Sequence, residues 1–266
     1  MRIMSLNAWG GTLHGPLLRY LAQEAPEVLC LQEVIHSPET SKLDLTYRDG
    51  DHVLAQRANL FSEVAAVLPE HAAIFCPAAQ GMLWDGELPV PSRWGLASFV
   101  HRSLPIIGQA QGFVHKGYEP DGFGEHPRSR SAHALRVFDH AQGSAVSIAQ
   151  MHGLRDLRGK MDTHERAAQA RRFLALLEQV AEPGDLRVVC GDFNVEPGSE
   201  TLRLMTEAGM TELVTAGNFE GTRSAHYAKP GKFADYMAVS NAAAVRGFTV
   251  VRAPEVSDHC PLLLDL

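Results

Sequence analysis

Long hydrophobic runs are missing from this sequence: no apolar stretch approaches the length needed to span a bilayer, which argues against a helical membrane span. The opening segment MRIMSLNAWGG has neither the apolar core nor the cleavage signature of a secretory signal, so a cytoplasmic protein is expected. Cysteine is scarce. Cys30, Cys76, Cys190 and Cys260 are widely separated, no pair has zinc-knuckle spacing, and three lie in apolar, strand-like stretches. They read as small buried hydrophobes in a reducing compartment. Basic charge is in deficit, with 31 acidic against 24 basic residues and a formal charge of -7. That balance argues against tight, sequence-blind binding to polyanions, which needs clustered Lys and Arg. It does not exclude a nuclease, because a bound metal ion supplies positive charge at the site itself. No aromatic ladder interleaves with the cations, so a groove that stacks nucleobases is not evident. Repeats, low-complexity blocks and linkers are also absent, and residues 1–266 are expected to form a single domain.

What is there is an alternation of strand-like and helix-like segments in a chain that is 45% hydrophobic, enough to bury a sizeable core. Strands are expected at Arg2–Asn7, Val28–Gln32, Ala72–Phe75, Leu96–Val100, Leu135–Phe138, Ala145–Met151, Leu186–Cys190, Ala234–Val239, Phe248–Arg252 and Pro261–Leu266. Helices are expected at Pro16–Glu24, Leu60–Leu68, Thr163–Val180 and Glu200–Ala208. The longest follows Asp162, which could cap it while Glu165 reaches back. Its apolar residues Ala170, Phe173, Leu174, Leu177 and Val180 recur at helical spacing and mark a core face. Gly81–Arg93 and Gly112–Ser131 read as long loops that could rim a cleft.

Three motifs share one design, an apolar run that ends in carboxylates or amides: Val28–Glu33, Val188–Asn194 and Val256–His259. A strand buried on both faces reads as continuous apolar sequence. Its polar end emerges at the sheet edge, where open α/β folds place ligands. Hard oxygen donors from several strand ends are what Mg²⁺ requires. Each motif also has a plain reading: Glu33 as the start of a solvated loop, Gly191-Asp192-Phe193-Asn194 as a turn, Asp258-His259 as a surface pair. Singly, the plain readings are the stronger. In one chain and in this order, they are not.

The ordered set Leu6-Asn7-Ala8-Trp9, Leu31-Gln32-Glu33-Val34, Met151-His152-Gly153, Gly191-Asp192-Phe193-Asn194, Phe233-Ala234-Asp235-Tyr236 and Ser257-Asp258-His259 resembles the endonuclease/exonuclease/phosphatase superfamily. That superfamily includes pancreatic-type deoxyribonucleases, apurinic-site endonucleases, neutral sphingomyelinases, inositol polyphosphate phosphatases and tyrosyl-DNA phosphodiesterases. The resemblance runs over nearly the whole chain. It implies an α/β (α+β) four-layer sandwich, with two mixed β-sheets face to face and helices outside. It also implies Mg²⁺ or Mn²⁺, one or two ions. By the same resemblance Glu33 is the principal metal carboxylate with Asn7 beside it, and Asp258 is a further ligand or a partner of a metal-bound water. Asp192 and Asn194 position the attacking water and hold the phosphate, and Asp192 also reaches a second ion if one binds. His259 matches the general base or phosphate-stabilising imidazole, Asp235 the carboxylate that orients it, and His152 the histidine near the leaving group. Gly153 departs from the family's usual leucine at that point. A glycine there lets the backbone turn or approach substrate.

The residue types also make sense without the family. Phosphoester hydrolysis needs an in-line nucleophile, neutralised equatorial oxygens and help for the leaving oxygen. A carboxylate behind an imidazole fixes its tautomer and raises its basicity. Asn194 can offer an amide N–H to a phosphate without adding negative charge. Arg223, Lys229 and Lys232 precede Asp235 in what reads first as a solvated basic loop, and Arg93, Arg128, Arg130, Arg155, Arg158 and Lys160 fall near the expected cleft. His14, His36, His71, His115, His126, His164 and His226 carry no motif and are expected at the surface. The expected function is a divalent-metal-dependent phosphoesterase, nuclease-like and cutting phosphodiesters. The alternatives are a phosphomonoesterase or lipid-headgroup phosphodiesterase acting on a small substrate, and a catalytically silent binding module on the same fold. The expected partner is a phosphate-ester substrate, nucleic acid among the candidates, with no membrane span and no obligate protein partner.

Overall fold

The computed structural model describes residues 1–266 apart from the side chain of His52. In chain order the strands are β1 Arg2–Asn7, β2 Val28–His36, β3 Asp44–Asp49, β4 His52–Arg57, β5 His71–Asp85, β6 Leu88–His101, β7 Ile106–His115, β8 Arg130–Asp139, β9 Ser144–His152, β10 Leu186–Asp192, β11 Thr211–Glu212, β12 Asp235–Val239, β13 Gly247–Val250 and β14 Leu262–Asp265. The helices are α1 His14–Glu24, α2 Leu60–Val67, α3 His164–Glu178, α4 Glu200–Glu207 and the short α5 Leu213–Ala216. One sheet has eight strands in the order β13-β14-β1-β2-β6-β5-β3-β4, the other six in the order β11-β12-β10-β9-β8-β7. Both sheets are mixed. β1 runs parallel to β2, β9 runs parallel to β10, and the remaining pairings are antiparallel. This is the expected sandwich of two mixed sheets. Among the described residues no helix is long and apolar enough to cross a membrane.

Alternation along the strands explains both the layers and the apolar runs. In β2, Val28 and Cys30 enter the core shared with the second sheet, while Leu29 and Leu31 enter a separate core with Leu17 and Leu21 of α1 and Val64 of α2. Both faces are covered, so every residue of Val28–Leu31 is apolar. On the far side, Phe173, Leu176 and Leu177 of α3 pack into the core of the second sheet. Cys30, Cys76, Cys190 and Cys260 are all buried and free, as expected of small hydrophobes.

The four strands of the two parallel pairs carry one gradient. Their alternate residues read Ile3–Ser5–Asn7, Val28–Cys30–Gln32, Ile148–Gln150–His152 and Val188–Cys190–Asp192, each moving from apolar to polar toward its C-terminal end. The polar ends meet across the gap. Gln32 Nε2 donates to Gln150 Oε1 at 2.9 Å, and Gln150 Nε2 donates to Ser98 Oγ and to the Ala97 carbonyl, each at 2.8 Å. His133 Nδ1 lies 2.8 Å from the same Ser98 hydroxyl. Buried amides need partners in this way, so the chain of side chains fixes the register of one sheet against the other below the site.

Several sequence expectations are corrected. Gly81–Arg93 is not a loop but the turn and flanks of the β5–β6 hairpin, with Gly81 opposite Ser92 and Asp85 opposite Leu88. The outer parts of Gly112–Ser131 belong to β7 and β8, where Phe113 pairs with Ser131. β2 does not stop at Gln32. It passes a bulge between Leu31 and Val34 and continues to His36. Asp162 does not cap α3: Thr163 does, its hydroxyl accepting from Arg166 N, while Asp162 accepts from Glu200 N at the start of α4. His71 is buried, Nε2 2.9 Å from the Pro26 carbonyl, and His36 packs edge-on to Phe61 and Phe75. The His71 ring serves as core volume, and His36 is half-buried.

Candidate active site

The expected residues converge at one end of the sandwich. Glu33, His152, Asp192, Asn194, Asp258 and His259 line a cavity of about 970 Å³, and Asn7 and Asp235 are buried beneath it. The bulge in β2 aims Glu33. Its backbone has φ 54°, a left-handed conformation unfavourable for a glutamate, as is common where a bulge re-directs a functional side chain. Asn194 has φ 53°, which asparagine tolerates better. That turn lets the Asn194 N–H donate to Asp192 Oδ1 at 3.0 Å while the Phe193 N–H donates to the Ala234 carbonyl at 2.8 Å.

Asp192 is the junction of both sheets. Its Oδ2 accepts the Asn7 amide at 3.0 Å and lies 3.6 Å from His152 Nε2 and 3.7 Å from His259 Nε2. Asn7 is held in turn, its Oδ1 accepting from Trp9 N at 3.0 Å. Ser257 binds the final loop to β1: its hydroxyl donates to the Asn7 carbonyl at 2.7 Å and accepts from His259 N at 3.2 Å. Thr222 Oγ1 accepts from the N–H groups of Ala234 and Asp235 at 3.1 and 3.0 Å, which sets the start of β12.

His259 and Asp235 form a buried pair, Nδ1 to Oδ2 2.8 Å. Burial pushes the Asp235 carboxyl up to about 7. Burial, with Arg223 nearby, pushes His259 down to about 4. A neutral imidazole placed here carries its proton on Nδ1 toward Asp235 and leaves Nε2 as the acceptor, the atom that Arg223 contacts. His152 is also held well below its ordinary value, by burial and then by the charge of Arg130. Arg130 lies buried behind it, stacked on Trp94 at 5.0 Å and donating to the Gly153 carbonyl at 2.8 Å.

Of the acids that line the cavity, Glu33, Asp192 and Asp258 stand with His259, whereas Asp156, Asp162 and Glu196 belong to the segments of its rim. Glu33 is pushed up to about 7, first by burial and then by the charge of Asp258, with Asp192 adding to it and a hydrogen bond from Asn7 opposing. Carboxylates crowded until one resists ionising suit a divalent cation, whose charge would remove the repulsion. Asp192, Asp235 and His259 also offer atoms within 4.8 Å of one another. Of these, His259 Nδ1 and Asp235 already satisfy each other, so the open donors are the other carboxylates.

The sequence matches the Endonuclease/Exonuclease/phosphatase family over residues 4–259. The chain belongs to that family. No curated protein matches the sequence. Solved structures with the same fold include Bacteroides thetaiotaomicron mannosyl-6-phosphatase, 13% identical over 100% of this chain and 98% of that one, with a TM-score of 0.65. The human Nocturnin catalytic domain with bound sulfate is 18% identical over 100% and 93%, TM-score 0.65. D. rerio TDP2 complexed with single-strand DNA product is 16% identical over 99% and 97%, TM-score 0.65. At these identities the likeness shows the family's fold.

Within that family fold, the cations sort themselves by position. Arg155 and Lys160 line the cavity, whereas Arg93, Arg128, Arg130 and Arg158 do not. Lys160 Nζ donates to the Phe233 carbonyl and sits 3.6 Å from Glu196. Lys229 and Lys232 are exposed, as a basic loop would be, but Arg223 is not: its side chain is only 9% exposed. Neither 81–93 nor 112–131 contributes a lining residue. The rim comes from 155–162, 194–199 and 223–230. Trp9 and Tyr227, which line it, were not singled out as site residues; Trp9 stands two places beyond Asn7, which is a usable signal, and Tyr227 has none. Gly153 is close to backbone rather than open to substrate, since a Cβ there would collide with the Phe193 carbonyl.

Proposed function

We propose that this chain is a divalent-metal-dependent phosphoesterase that hydrolyses phosphodiester bonds by water attack. The observation that carries this reading is the buried His259–Asp235 pair, Nδ1 to Oδ2 2.8 Å, set at the same cavity as the oxygens of Glu33, Asp192 and Asp258. Glu33 and Asp258 would hold Mg²⁺ or Mn²⁺, with Asp192 able to reach the same point and Asn7 bracing both sides of it. When bound, such an ion acts as a Lewis acid and neutralises charge on the non-bridging phosphate oxygens. His259 accepts the proton of the attacking water at Nε2, and Asp235 stabilises the imidazolium that results. Asp192 fixes the water's direction. Asn194 offers its amide to the phosphate, and His152 stands beside the leaving oxygen.

A small substrate is the second reading. The cavity is walled by Trp9, Tyr227, Leu157 and Met161 and mixes acidic with basic side chains, where an extended nucleic-acid groove would be basic throughout. A silent binding module has little support, because the His–Asp pair and its facing carboxylates are complete. The deciding experiment is a panel of plasmid DNA, abasic DNA, bis-p-nitrophenyl phosphate, p-nitrophenyl phosphate and a choline phospholipid, each with Mg²⁺, Mn²⁺ and a chelator. Metal-dependent turnover of the diester supports the first reading, and turnover confined to the monoester or the phospholipid the second. Flat traces throughout would defeat both.

A further inference from the structure

The one cation packed onto the proposed base has no assigned task. Arg223 Nη1 donates to Asp258 Oδ2 at 2.9 Å and also contacts His259 Nε2. Nε2 is the atom whose lone pair must receive a proton, since Nδ1 faces Asp235. In this arrangement the guanidinium therefore covers the base. It lines the cavity, and its Nε is buried with no hydrogen-bond partner among the described residues. An unpaired N–H on a side chain that is 91% buried is an unfavourable state to leave without a ligand, as the 9% exposure of Arg223 implies.

Its surroundings restrict where it can go. The Arg223 backbone bridges that of His259, and Ser224 N donates to the Asp258 carbonyl at 3.0 Å, so the residue is anchored to the loop that carries the base. Tyr227 covers the guanidinium at 4.2 Å from its ring centroid, which discourages rotation on that side. Of the other nearby cations, Arg130 donates to the carbonyls of Gly153 and Ser129 and Lys160 to that of Phe233, while Arg155 is an exposed lining residue and does not touch His259. Yet a phosphate arriving here meets Glu33, Asp192 and Asp258, and needs a donor with both charge and reach. A planar fork fits two phosphate oxygens better than a carboxylate and an imidazole placed side by side.

We propose that Arg223 is a phosphate-binding residue, resting on Asp258 and His259 in the free protein and turning to the non-bridging oxygens when a phosphate group enters. Its departure uncovers His259 Nε2, so the base becomes available only on a loaded site. This deepens the proposed phosphoesterase reading and rests on it for the identity of the bound group.

The test compares wild type, Arg223→Gln and Arg223→Lys as full-length proteins. Inorganic phosphate affinity is measured by calorimetry with Mg²⁺ and with a chelator, and thermal melting reports folding. Arg223→Gln is expected to weaken phosphate binding roughly 10- to 100-fold, the range of a lost charge-assisted contact. Arg223→Lys is expected to fall between it and wild type, and decides the matter should Arg223→Gln fail to fold. Phosphate affinity equal to wild type in the folded variants overturns the proposal, as does a wild type that binds no phosphate in either condition. Activity on bis-p-nitrophenyl phosphate separates the two claims. If wild type turns over the diester while the variants bind phosphate normally, the enzyme reading stands and Arg223 is only a partner of Asp258. If wild type turns over nothing while Arg223→Gln loses phosphate, the arginine role stands and the reaction assignment falls.

Discussion

The side-chain amide of Asn7 donates to Asp192 Oδ2 at 3.0 Å, joining residues 185 positions apart and spanning the gap between the two sheets. Asn7 is wholly buried and Asp192 nearly so, so the contact is made away from bulk water. Asn7→Ala should therefore cost about 1–3 kcal/mol in urea unfolding, the penalty for leaving a buried polar partner unmet. It should also reduce turnover at least roughly tenfold, because Asp192 would lose the contact that fixes its cavity-facing oxygen. Unchanged kinetics with reduced stability would make Asn7 a purely structural tie.

Asp235→Asn tests the histidine pair. An amide can present its N–H to His259 Nδ1, which favours the tautomer with the proton on Nε2 and removes the lone pair from the cavity. Turnover should drop on the order of 100- to 10,000-fold. Metal affinity, measured by calorimetry with Mn²⁺, should stay within about threefold of wild type. A comparable loss of metal binding would mean that Asp235 belongs to the ion site.

Glu33→Gln and His259→Ala should separate in the same calorimetric measurement. Glu33 is raised to about 7 by burial and neighbouring acids, so its charge is unfavourable until a cation shares the space. Removing that charge should weaken metal binding by at least roughly tenfold, whereas His259→Ala should change it little while lowering turnover. Since crowded carboxylates repel, Glu33→Gln should also be as stable as wild type without metal, or slightly more so. Equal loss of metal affinity in both variants would defeat the division of roles.

Gly153→Ala tests a packing constraint rather than chemistry. The Gly153 N–H donates to the Asp192 carbonyl at 2.6 Å, and a methyl group there would strike the Phe193 carbonyl. The strand ends carrying His152 and Asp192 would have to separate. A loss of at least about 2 kcal/mol in thermal or urea unfolding is expected, beyond the usual cost of overpacking because the obstacle is backbone. A fully stable variant would mean that these strand ends can give way.

The sequence made the site legible because its chemistry sits at strand ends whose interiors are buried on both faces. Val28–Leu31 and Val188–Cys190 could only be central strands, and the polar residues after them had to emerge at one edge. What stayed hidden has identifiable causes. β3 and β4 carry little apolar alternation, although Asp49–Gly50 between them is a turn signal that was available. β7 alternates between half-buried and exposed residues and includes Gly108 and Gly112, which weakens its strand signature. The covering of His259 by Arg223 could not be read at all, since it depends on a turn that brings 223 back against 259. Local pattern reports which face is buried. It does not report which charge fills a given space.

His133 gives a pH prediction away from the cavity. It is 1% exposed, its Nδ1 shares the Ser98 hydroxyl, and burial lowers it from an ordinary 6.5 to about 4. A folded value below the unfolded one means that the unfolded chain binds the proton more readily between these limits. The neutral ring's contribution is thus complete above 6.5 and is lost progressively as pH falls toward 4, by an amount on the order of 3 kcal/mol at most. Urea midpoints for wild type should therefore fall between pH 7 and pH 5 more steeply than for His133→Gln, which cannot take up a proton there. His71, His152 and His259 remain in both proteins and contribute acid sensitivity to each, so only the difference between the two curves bears on His133. Parallel curves would mean that the ring escapes protonation by other means, with the buried Ser98–His133 contact surviving at low pH.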